Sequence, residues 1–124
     1  MAREGNTFQS EPVKTKSGIK SHMMIVVAVK AGECLLVPVT TWYENAGWQD
    51  SSCILNNGEH EFIKHKSWID FRKAVSKTEI EVLAGIMRGL FISMEDLKPD
   101  VLEKVQEKTK ESDFLPYKYR CFFE

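Results

Sequence analysis

With 124 residues, 43% of them hydrophobic and 28% charged, the chain has room for one domain around one core and not for two. A formal net charge of −1 excludes a globally basic polyanion binder, so any contact with nucleic acid falls to a local patch. Three cysteines, Cys34, Cys53 and Cys121, are an odd number without close spacing; they suggest neither a disulfide framework nor a zinc ribbon, and fit reduced thiols in a cytoplasmic protein.

Residues 1–21 are polar, with glycines and serines interleaved with Lys14, Lys16 and Lys20. Thr7 and Phe8 can open a first strand, and 12–21 reads as a mobile basic loop. The amino-terminal residues lack the apolar core of a signal peptide. At His22 the pattern changes. Residues 22–29 are a β-branched apolar run suited to a central strand, Ala31-Gly32-Glu33 supplies a turn, and 34–41 is the answering strand of a hairpin. Pro38 has no N–H to give to a ladder and predicts an edge or a bulge. Neither apolar run approaches the length that spans a bilayer, so no membrane partner is expected. Residues 42–51 read as a surface excursion; 53–55 and 68–71 are further short strands, separated by a turn that holds His60 and His65. Short strands in this number, without helical period, favour a small barrel over a sandwich.

The last third is helical. Thr78-x-x-Glu81 is a capping box opening an amphipathic helix, with Ile80, Leu83, Ala84, Ile86 and Met87 as its apolar positions and Gly89 at its close. A second helix has Pro99 in its first turn, Val101, Leu102 and Val105 on one face, and Glu103, Lys104, Glu107 and Lys108 solvated. The tail 111–124 carries Phe114, Tyr117, Tyr119, Phe122 and Phe123, an aromatic density that predicts docking on the barrel or on a partner. The chain has no internal repeat. It reads as a single domain over 1–124: a partly mobile basic segment (1–21), barrel strands (22–73), helical segments (77–110) and the aromatic tail.

Chemistry concentrates in 53–71. His60 and His65, two of the three histidines, stand beside Lys64, Lys66 and Ser67. Imidazole titrates closest to neutrality, so this pair among cations suits proton transfer or phosphate contact; a polar turn with imidazoles bonded to the backbone accounts for the same residues. Ser67 precedes a strand and suits a turn cap, and no strained elbow motif makes it a nucleophile. A zinc site from Cys53, His60, His65 and Cys121 lacks paired ligand spacing, so no metal and no other cofactor is expected. Trp42 and Trp48 suit base stacking, and equally a lid over the core or a protein contact.

The order of elements resembles the divergent branch of the PemK/MazF-like toxin family, small SH3-like β-barrels of toxin–antitoxin systems. The residues that carry the resemblance are Lys20-Ser21-His22-Met23-Met24-Ile25-Val26-Val27, Leu35-Leu36-Val37-Pro38-Val39-Thr40-Thr41, Ser52-Cys53-Ile54-Leu55, and Gly58-x-His60-x-Phe62-Ile63-x-His65-x-Ser67-Trp68, followed by a helix over 97–109. Gly58 to Trp68 is the most specific piece, and the resemblance covers about residues 5–110. It implies a mainly β (α+β) fold, a small SH3-like β-barrel with C-terminal helices, and a metal-independent endoribonuclease acting on single-stranded RNA, held in check by an antitoxin and built as a homodimer. Such chemistry needs a base for the 2′-hydroxyl, an acid for the leaving 5′-oxygen, and donors on the phosphorane. In the family an arginine precedes the second strand and a threonine closes the third. Thr40 matches the threonine, although a strand-end threonine also follows from β propensity. No arginine stands directly before Met23; Lys20 and His22 occupy that neighbourhood, and His22 also suits a satisfied buried imidazole. The resulting candidates are His22, Thr40, His60 and His65 for catalysis, and Lys20, Trp42, Lys64 and Ser67 for substrate, in a groove between 12–21 and 42–51. A non-catalytic SH3-like protein-binding module is the alternative, favoured by the missing arginine and the near-neutral charge.

Overall fold

The run from Met23 to Val39 is apolar at nearly every position, which is the pattern of strands covered on both faces. In the computed structural model, which describes residues 2–10, 13–15, 18–20 and 22–124 (13–15 and 18–20 as backbone only), that cover is present. Strands β1 (Thr7–Gln9), β2 (Val13–Thr15) and β3 (Gly18–Lys20) precede the long hairpin of β4 (Met23–Lys30) and β5 (Glu33–Thr41). Then come β6 (Ile54–Leu55), β7 (Ser67–Ile69), β8 (Val75–Thr78), α1 (Glu79–Met87), β9 (Ile92–Met94) and α2 (Pro99–Glu111). Residues Phe71–Lys73 and Tyr117–Phe123 form 3-10 turns. The fold is mainly β in the α+β class and barrel-like: a seven-stranded antiparallel sheet in the order β6-β7-β5-β4-β1-β9, with β8 also on β5.

The hairpin organises this sheet. Ala31 (φ 51°) and Gly32 (φ 79°) join Lys30 to its partner Glu33, and two central residues with positive φ match the twist of the strands they connect. Along its other edge β5 takes β8 from Glu33 to Leu36 and β7 from Val39 to Thr41. Val37 and Pro38 fall in the gap between those partners. The Pro38 carbonyl accepts the Asp70 N–H at 3.3 Å on that side, so the ladder position Pro38 leaves empty faces the gap, as its chemistry requires. A register shift between Val26 and Ala28 bends β4, as a bulge does.

Both faces of the hairpin are buried. Ile25, Val27, Leu35 and Val37 pack with Val101 and Val105 of α2 and with Leu115 and Tyr119 of the tail. Val26, Cys34 and Leu36 pack on the opposite side with Phe8 and with Val82 of α1. Each such side chain fully buried stabilises the fold by roughly 1.5–3 kcal/mol. Helix α2 has Pro99 in its first turn and its predicted face inward, and the aromatic tail docks on the core. Among the described residues no helix is long and apolar enough to cross a membrane.

Several expectations need correction. Within the predicted loop over 12–21, β2 and β3 form a two-stranded antiparallel ribbon, while 11, 12, 16, 17 and 21 lie outside the described residues. The short strands β8 and β9 are additional. The capping box of α1 is present, with Thr78 Oγ1 accepting the Glu81 N–H and Glu81 accepting the Thr78 N–H, both at 3.0 Å. Its buried face is only in part the one predicted: Val82 and Gly85 turn inward with Ile86 packed beside them, while Ile80 is 79% and Met87 87% exposed and Leu83 is exposed with them. Gly85 decides this. A Cβ there would lie 2.2 Å from Phe91 Cδ2, and Phe91 in turn packs on Phe8 with ring centroids 5.0 Å apart. The bare glycine surface lets that ring close over the helix.

Gly85→Val therefore lowers stability by about 1–3 kcal/mol through overpacking, read as a lower urea midpoint at unchanged slope. Met87→Lys, at an exposed position of the same helix, shifts it by less than about 0.5 kcal/mol.

Candidate functional site

Strand register brings the candidate residues together. Met23 pairs with Val39 and Met24 with Pro38, so the next step along both strands sets His22 opposite Thr40. On the other side of β5, Thr40 pairs with Trp68 and Thr41 with Ser67. The chain before Ser67 thus carries Lys64 and His65 to the end of β5. Here a groove of about 400 Å³ opens, lined by His22, Thr40, Thr41, Tyr43, Phe62, Lys64, His65 and Ser67 over a floor of Met23, Val39 and Ile63.

The lining combines three chemistries. Lys64, His65 and His22 supply cationic or protonatable groups, and no described carboxylate lines the groove. Thr40 supplies a half-buried hydroxyl that no described residue engages. Tyr43 and Phe62, 58% and 42% exposed, supply aromatic surface beside the cations. That pairing of cations with stacking faces is the pattern by which single-stranded nucleic acids are held without sequence readout. Ser67 is buried and donates to the His65 carbonyl at 2.9 Å, so its hydroxyl orients the loop that carries His65.

His60 lies apart from this group. It is 2% exposed, and its Nδ1 accepts the Phe62 N–H at 2.9 Å, which puts its proton on Nε2. Nε2 then donates to the Glu95 carbonyl at 2.7 Å, an oxygen that also accepts from the Thr7 hydroxyl at 2.7 Å. Nε2 thus pins the loop to the segment after β9, while Nδ1 braces the loop internally through Phe62. A second anchor is Glu59, which accepts from Lys104 of α2 at 2.8 Å. Burial pushes the Glu59 carboxyl up, and the Lys104 and Asn56 hydrogen bonds outweigh it, holding the group below the usual glutamate range. The histidine pair, close in sequence, thus divides into an anchor and a groove residue.

The remaining candidates are distributed elsewhere. Trp42 is half-buried beside Lys66, whose ammonium lies 4.8 Å from its ring, and it does not line the groove. Lys20 ends β3, and its side chain lies outside the described residues. Of the expected groove walls, 42–51 contributes Tyr43. Burial raises the Cys53 thiol to about 11, so it stays protonated at neutral pH, and no group of three or more His, Cys, Asp or Glu gathers as for a metal among the described residues. Sequence reasoning passed over Tyr43 and Phe62. The usable signal was Phe62 standing two and three residues before Lys64 and His65.

A second depression, of about 340 Å³, shares His22 and Thr40 with the groove and continues past them to Arg72 and Lys73. Arg72 Nε and Nη2 each donate to the Asp70 carboxylate at 2.9 Å, and the guanidinium lies 4.1 Å from the Trp48 ring centroid. Burial pushes the Asp70 carboxyl up, but the Arg72 hydrogen bonds and charge prevail and hold it below the usual aspartate range. Fold and groove together define a small barrel-like α+β protein with a cationic and aromatic cleft at its strand ends. No protein-family model matches the chain, and no curated protein matches it.

His60→Ala leaves the Phe62 N–H and a shared carbonyl short of a partner, and costs about 1–3 kcal/mol in urea unfolding. His65→Ala, at an exposed ring, changes stability by less than about 0.5 kcal/mol. Because the folded Asp70 pKa is depressed, its stabilisation is complete above the unfolded aspartate value, near 4, and is lost as pH falls through the folded value. Asp70→Asn removes that component, so the acid-side fall in stability is shallower than in wild type.

Proposed function

We propose that this protein is the toxin component of a type II toxin–antitoxin system, a PemK/MazF-like endoribonuclease that cleaves single-stranded RNA in the cytoplasm without a metal ion. The observation that supports this reading is the convergence of His22, Thr40, Lys64 and His65 from three separate chain segments on one groove that no described carboxylate lines. In-line attack of a 2′-hydroxyl on the adjacent phosphate needs a proton acceptor at that oxygen and a proton donor at the leaving 5′-oxygen. Two imidazoles, His22 and His65, supply those roles. Lys64 and the Thr40 hydroxyl donate to the phosphorane oxygens as charge develops, and Tyr43 and Phe62 hold the flanking bases by stacking. Where the family places an arginine, this chain relies on His22 for position and Lys64 for charge.

The partners proposed with this reading are single-stranded RNA, an antitoxin protein and a second copy of the chain. The exposed apolar positions of α1 (Ile80, Leu83 and Met87) offer surface for a protein contact. Those same positions favour the second reading, a non-catalytic module that binds protein through the helix and leaves the groove idle.

Incubation of purified protein with mixed-sequence RNA in EDTA at neutral pH separates the readings. Cleavage is expected in wild type, reduced about 10²–10⁴-fold by His22→Ala and by His65→Ala. Thr40→Ala is reduced as well, and His60→Ala retains activity in proportion to its folded fraction. Intact RNA with wild-type protein at every concentration tested removes the nuclease reading and leaves the binding module.

A further inference from the structure

The groove and the second depression meet at His22 and Thr40, which line both. A chain of phosphates laid across these two residues leaves Lys64 and His65 on one side and reaches Arg72 and Lys73 on the other. The Asp70–Arg72 pair is ordinarily read as the cap of a 3-10 turn, and Asp70 does accept the Arg72 backbone N–H at 3.2 Å. The guanidinium, however, is held as a cap does not require. Asp70, its side chain 6% exposed, takes Nε and Nη2, and the Trp48 ring lies against the face of the group. Trp48 is itself braced edge-on by Phe114, at 5.0 Å between centroids, and by Trp68, at 5.9 Å. Arg72 stays 48% exposed, and no described residue engages its Nη1. An arginine fixed through one edge and one face, with its other edge open to a depression, is preorganised to donate to a phosphate.

Building on the nuclease reading, we infer that Arg72 and Lys73 form a second anion subsite, which takes the phosphodiester next to the one held between Lys64, His65 and Thr40. The substrate site therefore spans two consecutive phosphates of a single strand, with His22 and Thr40 on the ridge between them. Arg72 is a substrate-positioning residue, and Asp70 and Trp48 aim it. This also supplies a guanidinium beside Thr40 from the far side of β5, in a chain that has none in the lead-in directly before β4.

The test measures binding rather than turnover. A fluorescent 2′-O-methyl RNA oligonucleotide, which has no 2′-hydroxyl to attack, is titrated with full-length protein over a salt series, using wild type, Arg72→Gln, Lys73→Gln and Lys64→Gln. Arg72→Gln and Lys73→Gln are each expected to weaken binding about tenfold and to reduce the slope of log affinity against log salt by about 0.7, the loss of one phosphate contact on a single strand. A purely structural Arg72 changes the unfolding midpoint and leaves that slope unmoved. Lys73 is exposed and engages no described partner side chain by hydrogen bond or ion pair, so Lys73→Gln still tests the subsite where Arg72→Gln fails to fold. Wild-type affinity and slope in Lys73→Gln and in folded Arg72→Gln, with Lys64→Gln still weakened, overturn the subsite and leave the nuclease reading standing. A wild-type protein that binds no oligonucleotide overturns that reading and the subsite with it.

Discussion

Strand β5 is the constraint on which the rest of the molecule depends. It has one edge paired to β4 from Glu33 to Val39 and the other divided between β8 and β7, and both its faces are buried, so neither its register nor its orientation can slip without exposing a core. A shift of one residue would exchange the Leu35 and Val37 face, which meets α2, for the Cys34 and Leu36 face, which meets α1. The functional consequence is positional. The register that buries Val39 beside Met23 also sets Thr40 at the end of the buried run, opposite His22 and next to Trp68. Polar chemistry begins where the hydrophobic ladder stops, and the groove sits at that boundary.

The loop between β6 and β7 completes the groove, and it is held from outside the sheet. Glu59 ties it to α2 through Lys104, and His60 ties it to the Glu95 carbonyl and to Thr7 of β1. Side chains that lose rotamer freedom on binding weaken it, by roughly 0.5–1.5 kcal/mol each. A loop anchored on two sides has already lost backbone freedom, so Lys64 and His65 start from a restricted position. Gly58, at φ 94°, provides the reversal just before the two anchors.

What was legible in the sequence followed local rules. The hairpin showed in its β-branched runs and its Ala31-Gly32 turn, α1 in its Thr78/Glu81 box, α2 in Pro99 and its spacing, and the docked tail in its aromatic density. What stayed hidden was decided by distant partners. Val75 to Thr78 and Ile92 to Met94 are too short to carry a strand signal, and become strands by pairing with β5 and β1. Helix α1 is apolar almost all round, so periodicity could not choose its buried face; the fit of Phe91 against Gly85 chose it. In the same way His60 and His65 are equivalent by local chemistry, and only the Glu95 carbonyl, 35 residues away, separates them. Arg72 was hidden for a related reason. An Asp-x-Arg sequence reads as a turn with its own ion pair, and the depression it faces is assembled by strand order.

A net charge of −1 argues against nucleic acid only if charge is spread evenly, and here it is not. Carboxylates at several places are committed to cations: Asp96 to Arg3, Glu59 to Lys104, Glu111 to Lys108 and Asp70 to Arg72. Each pair removes one charge of either sign from the field seen at a distance. Lys64 enters no ion pair among the described residues, and no described carboxylate lines the groove beside it. With screening over about 8 Å at physiological salt, a polyanion at the strand ends responds to those nearby groups and not to the sum over the chain. The second depression contains Asp70, yet there the carboxylate faces Arg72 on two atoms and leaves Lys73 as the uncompensated charge. A nearly neutral protein can therefore present a locally cationic path where the acid standing in that path is paired, as Asp70 is by Arg72, while Glu61 and Glu95 line a neighbouring depression on the other side of Lys64.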